Sequence, residues 1–253
     1  MNNVIVFTTD LSGDDRAAFV HACALAAASG ARLVTIHANA PAERASSLWD
    51  ATPLAERWGR TIDHRRVCHE CCDDVTDTLL DAIRGYDPQL VICGTHARRG
   101  FSALVRGSIA TALARNVDVP ALIVPNDAAG FVDEATGRVS LRELIVPAGS
   151  RDEAVRGVAA ARAFATSIGL DVPIEVVHAG RGALAVDDLR VPVLQRPGEI
   201  EAAILAVARE RPGAAIVMVT HGHDGVHDVV AGSHTEHVIR DGHVPVLSVH
   251  APR

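Results

Sequence analysis

Three short landmarks recur in this chain at one fixed spacing. Thr95-His96 returns as Thr220-His221, Gly107-Ser108 as Gly232-Ser233, and Val119-Pro120 as Val244-Pro245, each 125 residues on. A shared offset over several landmarks means two copies of one supersecondary plan, and it limits the fold more than any single element does. Ile36-His37-Ala38 returns as Val177-His178-Ala179 at the longer offset of 141, so the second copy is shorter between these landmarks. The piece it lacks matches residues 41–60, which predict an extra helix with no counterpart after His178. The length of 253 residues suits two domains of about 125 residues each. The expected division is 1–126 and 141–253, joined by a polar linker at 127–140 that contains Gly130 and Gly137.

Within each copy, short apolar runs alternate with helical patterns. In the first, 4–8, 32–37, 61–67, 90–93 and 121–124 predict strands, while 14–29, 41–59, 74–84 and 102–116 predict helices. In the second, strands are expected at 144–147, 174–178, 191–194, 215–219 and 246–249, and helices at 153–168, 199–210 and 233–241. Strands separated by helices imply parallel pairing through right-handed crossovers. A run such as Leu90-Val91-Ile92-Cys93 has no polar face, so its sheet is covered on both sides. The fold class is therefore α/β, with two tandem doubly wound, Rossmann-like parallel sheets; the strand order expected in each is 3-2-1-4-5.

Composition removes several function classes. The apolar share of 48% supports a full core. A net charge of −7 with 3% aromatics speaks against nucleic-acid binding. All 24 cationic side chains are Arg, and without Lys the chain has neither a P-loop NTPase lysine nor a Schiff base. No apolar run reaches membrane-spanning length, and the start Met1-Asn2-Asn3-Val4 lacks the basic region of an export signal. An odd count of five cysteines then fits reduced thiols in the cytoplasm.

In doubly wound sheets ligands bind beyond the carboxyl ends of strands, where the winding reverses. The residues expected there are Asp10, His37, the loop from Gly94, and Gly107-Ser108 opening a helix. Glycines admit phosphate oxygens close to the backbone, a helix start offers unpaired N–H groups, and Asp10 can accept from ribose hydroxyls. Turn-forming glycines and a helix-capping Ser108 explain the same residues without a ligand.

Gly94-Thr95-His96-Ala97-Arg98-Arg99-Gly100, followed by Gly107-Ser108 and Val119-Pro120-Ala121-Leu122-Ile123-Val124, resembles the universal stress protein family. So does Val219-Thr220-His221-Gly222-His223-Asp224-Gly225 with Gly232-Ser233 and Pro245-Val246-Leu247. The resemblance spans the chain as a tandem pair. It implies a nucleotide signature, G-x-x-G followed after nine residues by G-S or G-T, with an Asp after the first strand. The first copy keeps Gly94, Gly107, Ser108 and Asp10 but has Ala97 at the second glycine. The second keeps Gly222, Gly232 and Ser233 but has Val219 at the first glycine, and Ala148-Gly149 where the Asp belongs. The implied ligand is ATP or a related adenine nucleotide in the first half, with magnesium as its companion ion. Thr8, Thr9, Ala38 and Ile109 complete the implied contacts. The resemblance also implies that the last strands of the two halves pair antiparallel within the chain, as an intramolecular pseudo-dimer. Dimerisation of that unit is not legible.

Cys68-His69-Glu70-Cys71-Cys72 has metal or redox spacing. In a 3-2-1-4-5 sheet His37 would stand beside Cys68 and Cys71, so zinc on Cys68, Cys71, Cys72 and His37 is one expectation and partly buried thiols are the other. His221, His223, His227, His234 and His237 crowd the second half. No nucleophile–base pair or G-x-S-x-G elbow appears. The leading expectation is a cytoplasmic, nucleotide-dependent sensor or regulator. Beside it stand a ligand-free protein-interaction scaffold and a slow ATP hydrolase acting through a metal-bound phosphate on Asp10. No membrane partner is expected.

Overall fold

A computed structural model describes residues 3–11, 13–70, 74–95, 109–128, 130–180, 182–220 and 234–250. The first half contains β1 (Val4–Thr8), α1 (Arg16–Ser29), β2 (Arg32–Ala38), α2 (Thr52–Trp58), β3 (His64–His69), α3 (Val75–Tyr86), β4 (Leu90–Thr95), α4 (Ile109–Asn116) and β5 (Ala121–Pro125). A hairpin, β6 (Val132–Asp133) and β7 (Arg138–Val139), follows. The second half contains β8 (Glu143–Pro147), α5 (Arg151–Ser167), β9 (Ile174–His178), β10 (Val193–Gln195), α6 (Ile200–Glu210), β11 (Ala214–Thr220), α7 (His234–Asp241) and β12 (Val246–His250).

The strands form one ten-stranded sheet in the order β10-β9-β8-β11-β12-β5-β4-β1-β2-β3. Each half is parallel in the expected 3-2-1-4-5 order. The two halves meet antiparallel at β12 and β5, with Val246 opposite Ile123, Leu247 opposite Leu122 and Ser248 opposite Ala121. Ala121 to Val124 are fully buried, and an apolar edge of that kind is stable only when paired. One apolar layer lies on each face of the sheet, and both layers run through both halves.

Local signals account for the helices. Asp74 caps α3 by accepting from the N–H groups of Thr76 and Asp77. Ser150 caps α5 through the Glu153 N–H, and Glu153 returns a carboxylate to the Gly149 N–H at 2.7 Å. α1 is buried along the continuous stretch from Ala18 to Ala26, which an amphipathic helix would not be. The hairpin explains this, because it packs on α1 from the side away from the sheet.

Several expectations need correction. The helix expected at 41–59 is a 3-10 turn, Ala42–Ser47, followed by the short α2. Between them the chain dips inward at Trp49, whose ring stacks on Phe19 at 5.7 Å, and a continuous helix cannot make that dip. The third strand starts at His64 rather than at 61, and the third strand of the second half is shifted to Val193–Gln195. Only 109–116 of the helix expected at 102–116 belongs to the described residues. The polar junction is not bare chain: Phe131 and Val132 are buried and anchor the hairpin.

Candidate functional site

β1 pairs with β2 on one side and β4 on the other, with Thr8 level with both Ile36 and Cys93. The winding reverses here, so α1 and α4 pack on opposite faces of the sheet, and it is at such a reversal that doubly wound sheets bind their ligands. Thr8 is 4% exposed and its hydroxyl oxygen has no hydrogen-bond partner among the described residues. Strand alternation puts Thr8 on the same face as Val6, the face that packs against Leu113 of α4. Thr9 points to the opposite face, where its hydroxyl accepts from the Leu11 N–H at 3.1 Å. That contact holds the turn in which Leu11 adopts a φ of 63°. Asp10 stands exposed at the rim, Ala38 is buried at the end of β2, and Ile109 is the half-buried first residue of α4. The structure therefore gathers Thr8, Thr9, Asp10, Ala38 and Gly94 at one end of the sheet. Ala97, Gly107, Ser108, Gly222, Gly232 and Ser233 lie outside the described residues.

Gly94 has a packing requirement of its own. A Cβ there would lie 2.6 Å from Asn126 Oδ1 and 2.9 Å from Asp15 Cβ. Sequence reasoning singled out neither neighbour. Asp15 is 4% exposed; one carboxylate oxygen accepts from Trp49 Nε1 at 2.6 Å and the other has no partner among the described residues. Both polar atoms of the Asn126 amide are buried and have no partner among the described residues. The second half solves the same position differently. Val219 replaces Gly94, Ala154 is fully buried, and Gly157 leaves room for the Val146 and Val219 methyl groups. Pro147 stands where the first half has Thr8, so no hydroxyl is presented there.

The zinc expectation is only partly within view. His37 and Cys68 are register partners on β2 and β3, which brings the ends of those strands together as expected. His37 Nδ1 is engaged with the Thr9 carbonyl at 2.8 Å, and burial raises the Cys68 thiol above its ordinary pKa. Cys71 and Cys72 lie outside the described residues. Among the described residues no three His, Cys, Asp or Glu side chains are grouped to hold a metal ion. In the second half His234 and His237 share one oxygen of Glu201, at 2.8 and 2.9 Å, which holds the Glu201 carboxyl below the usual range. His221, His223 and His227 are outside the described set.

Comparison with known proteins matches both halves. The family model described as "Universal stress protein family" covers residues 1–125 and 148–250. A solved universal stress protein from Archaeoglobus fulgidus superposes with a TM-score of 0.71 at 18% identity, covering 99% of each chain. A candidate universal stress protein from Pseudomonas aeruginosa gives 0.67 at 14% identity, covering 98% of this chain and 93% of its own. At such identities the structural likeness speaks for the fold alone.

Proposed function

The chain belongs to the universal stress protein family, and on that premise we propose that its first half binds an adenine nucleotide, ATP or a close relative, at the reversal between β1 and β4. The protein would then act as a nucleotide-dependent regulator in the cytoplasm. No described helix is long and apolar enough to cross a membrane.

The observation that carries the reading is the Thr8 hydroxyl, without a partner among the described residues, buried at the winding reversal and facing the α4 side. A buried hydroxyl without a partner costs about 1–3 kcal/mol, a cost that a bound polar group removes. Asp10 on the adjacent rim suits ribose hydroxyls or a magnesium-bound phosphate. The second half, with Pro147 and Val219 at the matching places, is the weaker binder in this reading.

Titration calorimetry with ATP, ADP and AMP in the presence of magnesium tests it. Binding should be seen in the parent and weakened at least tenfold by Asp10→Ala, with Thr8→Val weakening it less. Absence of heat at millimolar nucleotide rejects the reading and leaves a nucleotide-independent interaction scaffold. Phosphate release that survives Asp10→Ala unchanged would count against hydrolysis at this site.

A further inference from the structure

Two segments depart from the repeated plan, and both are fastened to the first half in the same way. One is the insertion at 41–60; the other is the hairpin at 131–139. Each gives one backbone N–H to a histidine, His21 buried and His64 half-buried. Ala51, at the start of α2, donates to His64 Nδ1 at 3.2 Å. Phe131, leading into the hairpin, donates to His21 Nε2 at 3.0 Å. The opposite nitrogens settle the tautomers. His21 Nδ1 lies 2.7 Å from the Ala17 carbonyl and must donate to it. His64 Nε2 lies 2.8 Å from Thr35 Oγ1 and carries the proton. Both rings are therefore neutral acceptors, and a second proton on either would place N–H against N–H.

The two segments also hold each other. Trp58 Nε1 donates to the Glu134 carbonyl at 2.9 Å, and the turn at Gly137 lies flat on the Trp58 ring. Arg16 sits over the Trp49 ring at 5.4 Å and donates through Nε to Glu134 at 3.0 Å. Insertion and hairpin together form one cover over α1, seated through Trp49 on Phe19 and Asp15.

We propose that this cover is an acid-sensing element, released from α1 when His21 and His64 take up protons, while the ten-stranded sheet stays intact. The geometry also says which histidines are excluded. His37 and His178 offer Nδ1 to carbonyl oxygens, so protonation leaves those bonds in place. Burial lowers the pKa of His21 to about 4, opposed only by the bond to Ala17. The charged groups on elements packed against it are Asp15 and Arg16 on α1, Glu56 and Arg57 on α2, and Asp133, Glu134 and Arg138 on the hairpin. His64 is also lowered to about 4, by burial first and then by Arg66, against Asp50 and Asp63. Arg65 of its own strand, Arg32 of β2, and Glu43 and Arg44 of the 3-10 turn complete its charged surroundings.

The sign follows from these depressed values. The covered form binds protons less well than the released form, whose histidines titrate near 6.5, so covering is favoured above that pH and lost as pH falls toward 4. Between pH 7 and 5 the release equilibrium rises about 20-fold through His21 alone, and further through the more exposed His64. Release would take the Trp49 indole from Asp15 and expose the buried apolar side of α1.

The chain has two tryptophans, Trp49 and Trp58, and both lie in the cover. Tryptophan emission and iodide quenching, followed from pH 7.5 to 4.5 beside far-ultraviolet circular dichroism, therefore separate release from unfolding. The expected result is a red shift and stronger quenching with unchanged dichroism. His21→Gln combined with His64→Gln keeps acceptors that take up no proton, and should flatten the emission change. A flat parent emission, emission and dichroism changing together, or an unaltered transition in the double variant would overturn the proposal. Should the double variant lack native dichroism at pH 7.5, Trp58→Phe decides. It removes the bond to Glu134, and the transition read by Trp49 should then move to higher pH; an unmoved transition rejects the cover.

Discussion

His37 and His178 hold equivalent places in the two halves: each Nδ1 lies 2.8 Å from the first carbonyl past the first strand, that of Thr9 or of Ala148. Each ring thereby fixes the turn leaving that strand. His178 is 7% exposed and His37 is half-buried. His178→Phe should therefore cost about 1–3 kcal/mol, because the Ala148 carbonyl loses its partner away from water. His37→Phe should cost less, since solvent replaces the lost donor. Urea unfolding of the two variants checks this, and the reverse order would contradict it.

Ile123 is fully buried opposite Val246 at the joint between the halves. Ile123→Glu places a carboxylate among apolar strands with no cation to meet it, and a loss of at least 3 kcal/mol is expected. Ile123→Val should cost only about 1 kcal/mol. Thermal melting of both variants, with size-exclusion chromatography, reads the effect. An Ile123→Glu protein melting with the parent would show that the joint contributes nothing.

Gly130 and Gly59 have nearly the same backbone, with φ of 63° and 61°. A Cβ on Gly59 meets open space, whereas on Gly130 it would lie 2.2 Å from the His21 ring. Gly59→Ala should cost about 1 kcal/mol from the backbone alone, and Gly130→Ala several times that. Equal costs in chemical denaturation would mean that the hairpin does not seat on His21.

Asn126 carries two buried polar atoms without partners among the described residues. Asn126→Ala removes them and should be neutral or mildly stabilising, unlike most buried truncations. It should also rescue part of the loss caused by Gly94→Ala, whose new methyl group meets the Asn126 amide. A double-mutant cycle on melting temperature measures that coupling, and strict additivity would exclude the contact.

Burial pushes the Cys93 thiol up to about 12 and raises Cys23 above the ordinary thiol range. Neither should form a mixed disulfide or react with iodoacetamide at pH 8 until the protein is denatured. Peptide mass spectrometry after a short pulse of reagent gives the answer. Rapid native labelling at Cys93 would place it nearer solvent.

What the sequence revealed depended on how local each signal was. The repeat and the alternation of strands and helices were legible, because fixed offsets and uninterrupted apolar runs such as 90–93 and 121–124 carry them, whereas the antiparallel joint came from the family resemblance alone. The hairpin at 131–139 was hidden, because Gly130 and Gly137 read as linker residues until Phe131 finds its place beside His21. The helix expected at 41–59 failed for a related reason: Trp49 is pulled inward by Phe19 and Asp15, partners from distant parts of the chain. Thr8, Asp10 and Gly94 were legible from strand ends and the family pattern. Asp15 and Asn126 were not, since an acidic residue near a helix start and an Asn after a strand are common in any sequence. Only the tertiary approach of both to Gly94 sets them apart.

The β5–β12 joint has an evolutionary consequence. In a symmetric pair of identical chains every substitution occurs twice, once on each side of the axis, and both copies must tolerate it. Here the axis passes through one polypeptide, so a change can fall on one side alone. Val219 in the place of Gly94, and Pro147 in the place of Thr8, are differences of that kind: one half carries hydrocarbon at its strand ends where the other has a glycine and a hydroxyl. Fusion released the two halves from having to be equal, and gave one of them room to specialise.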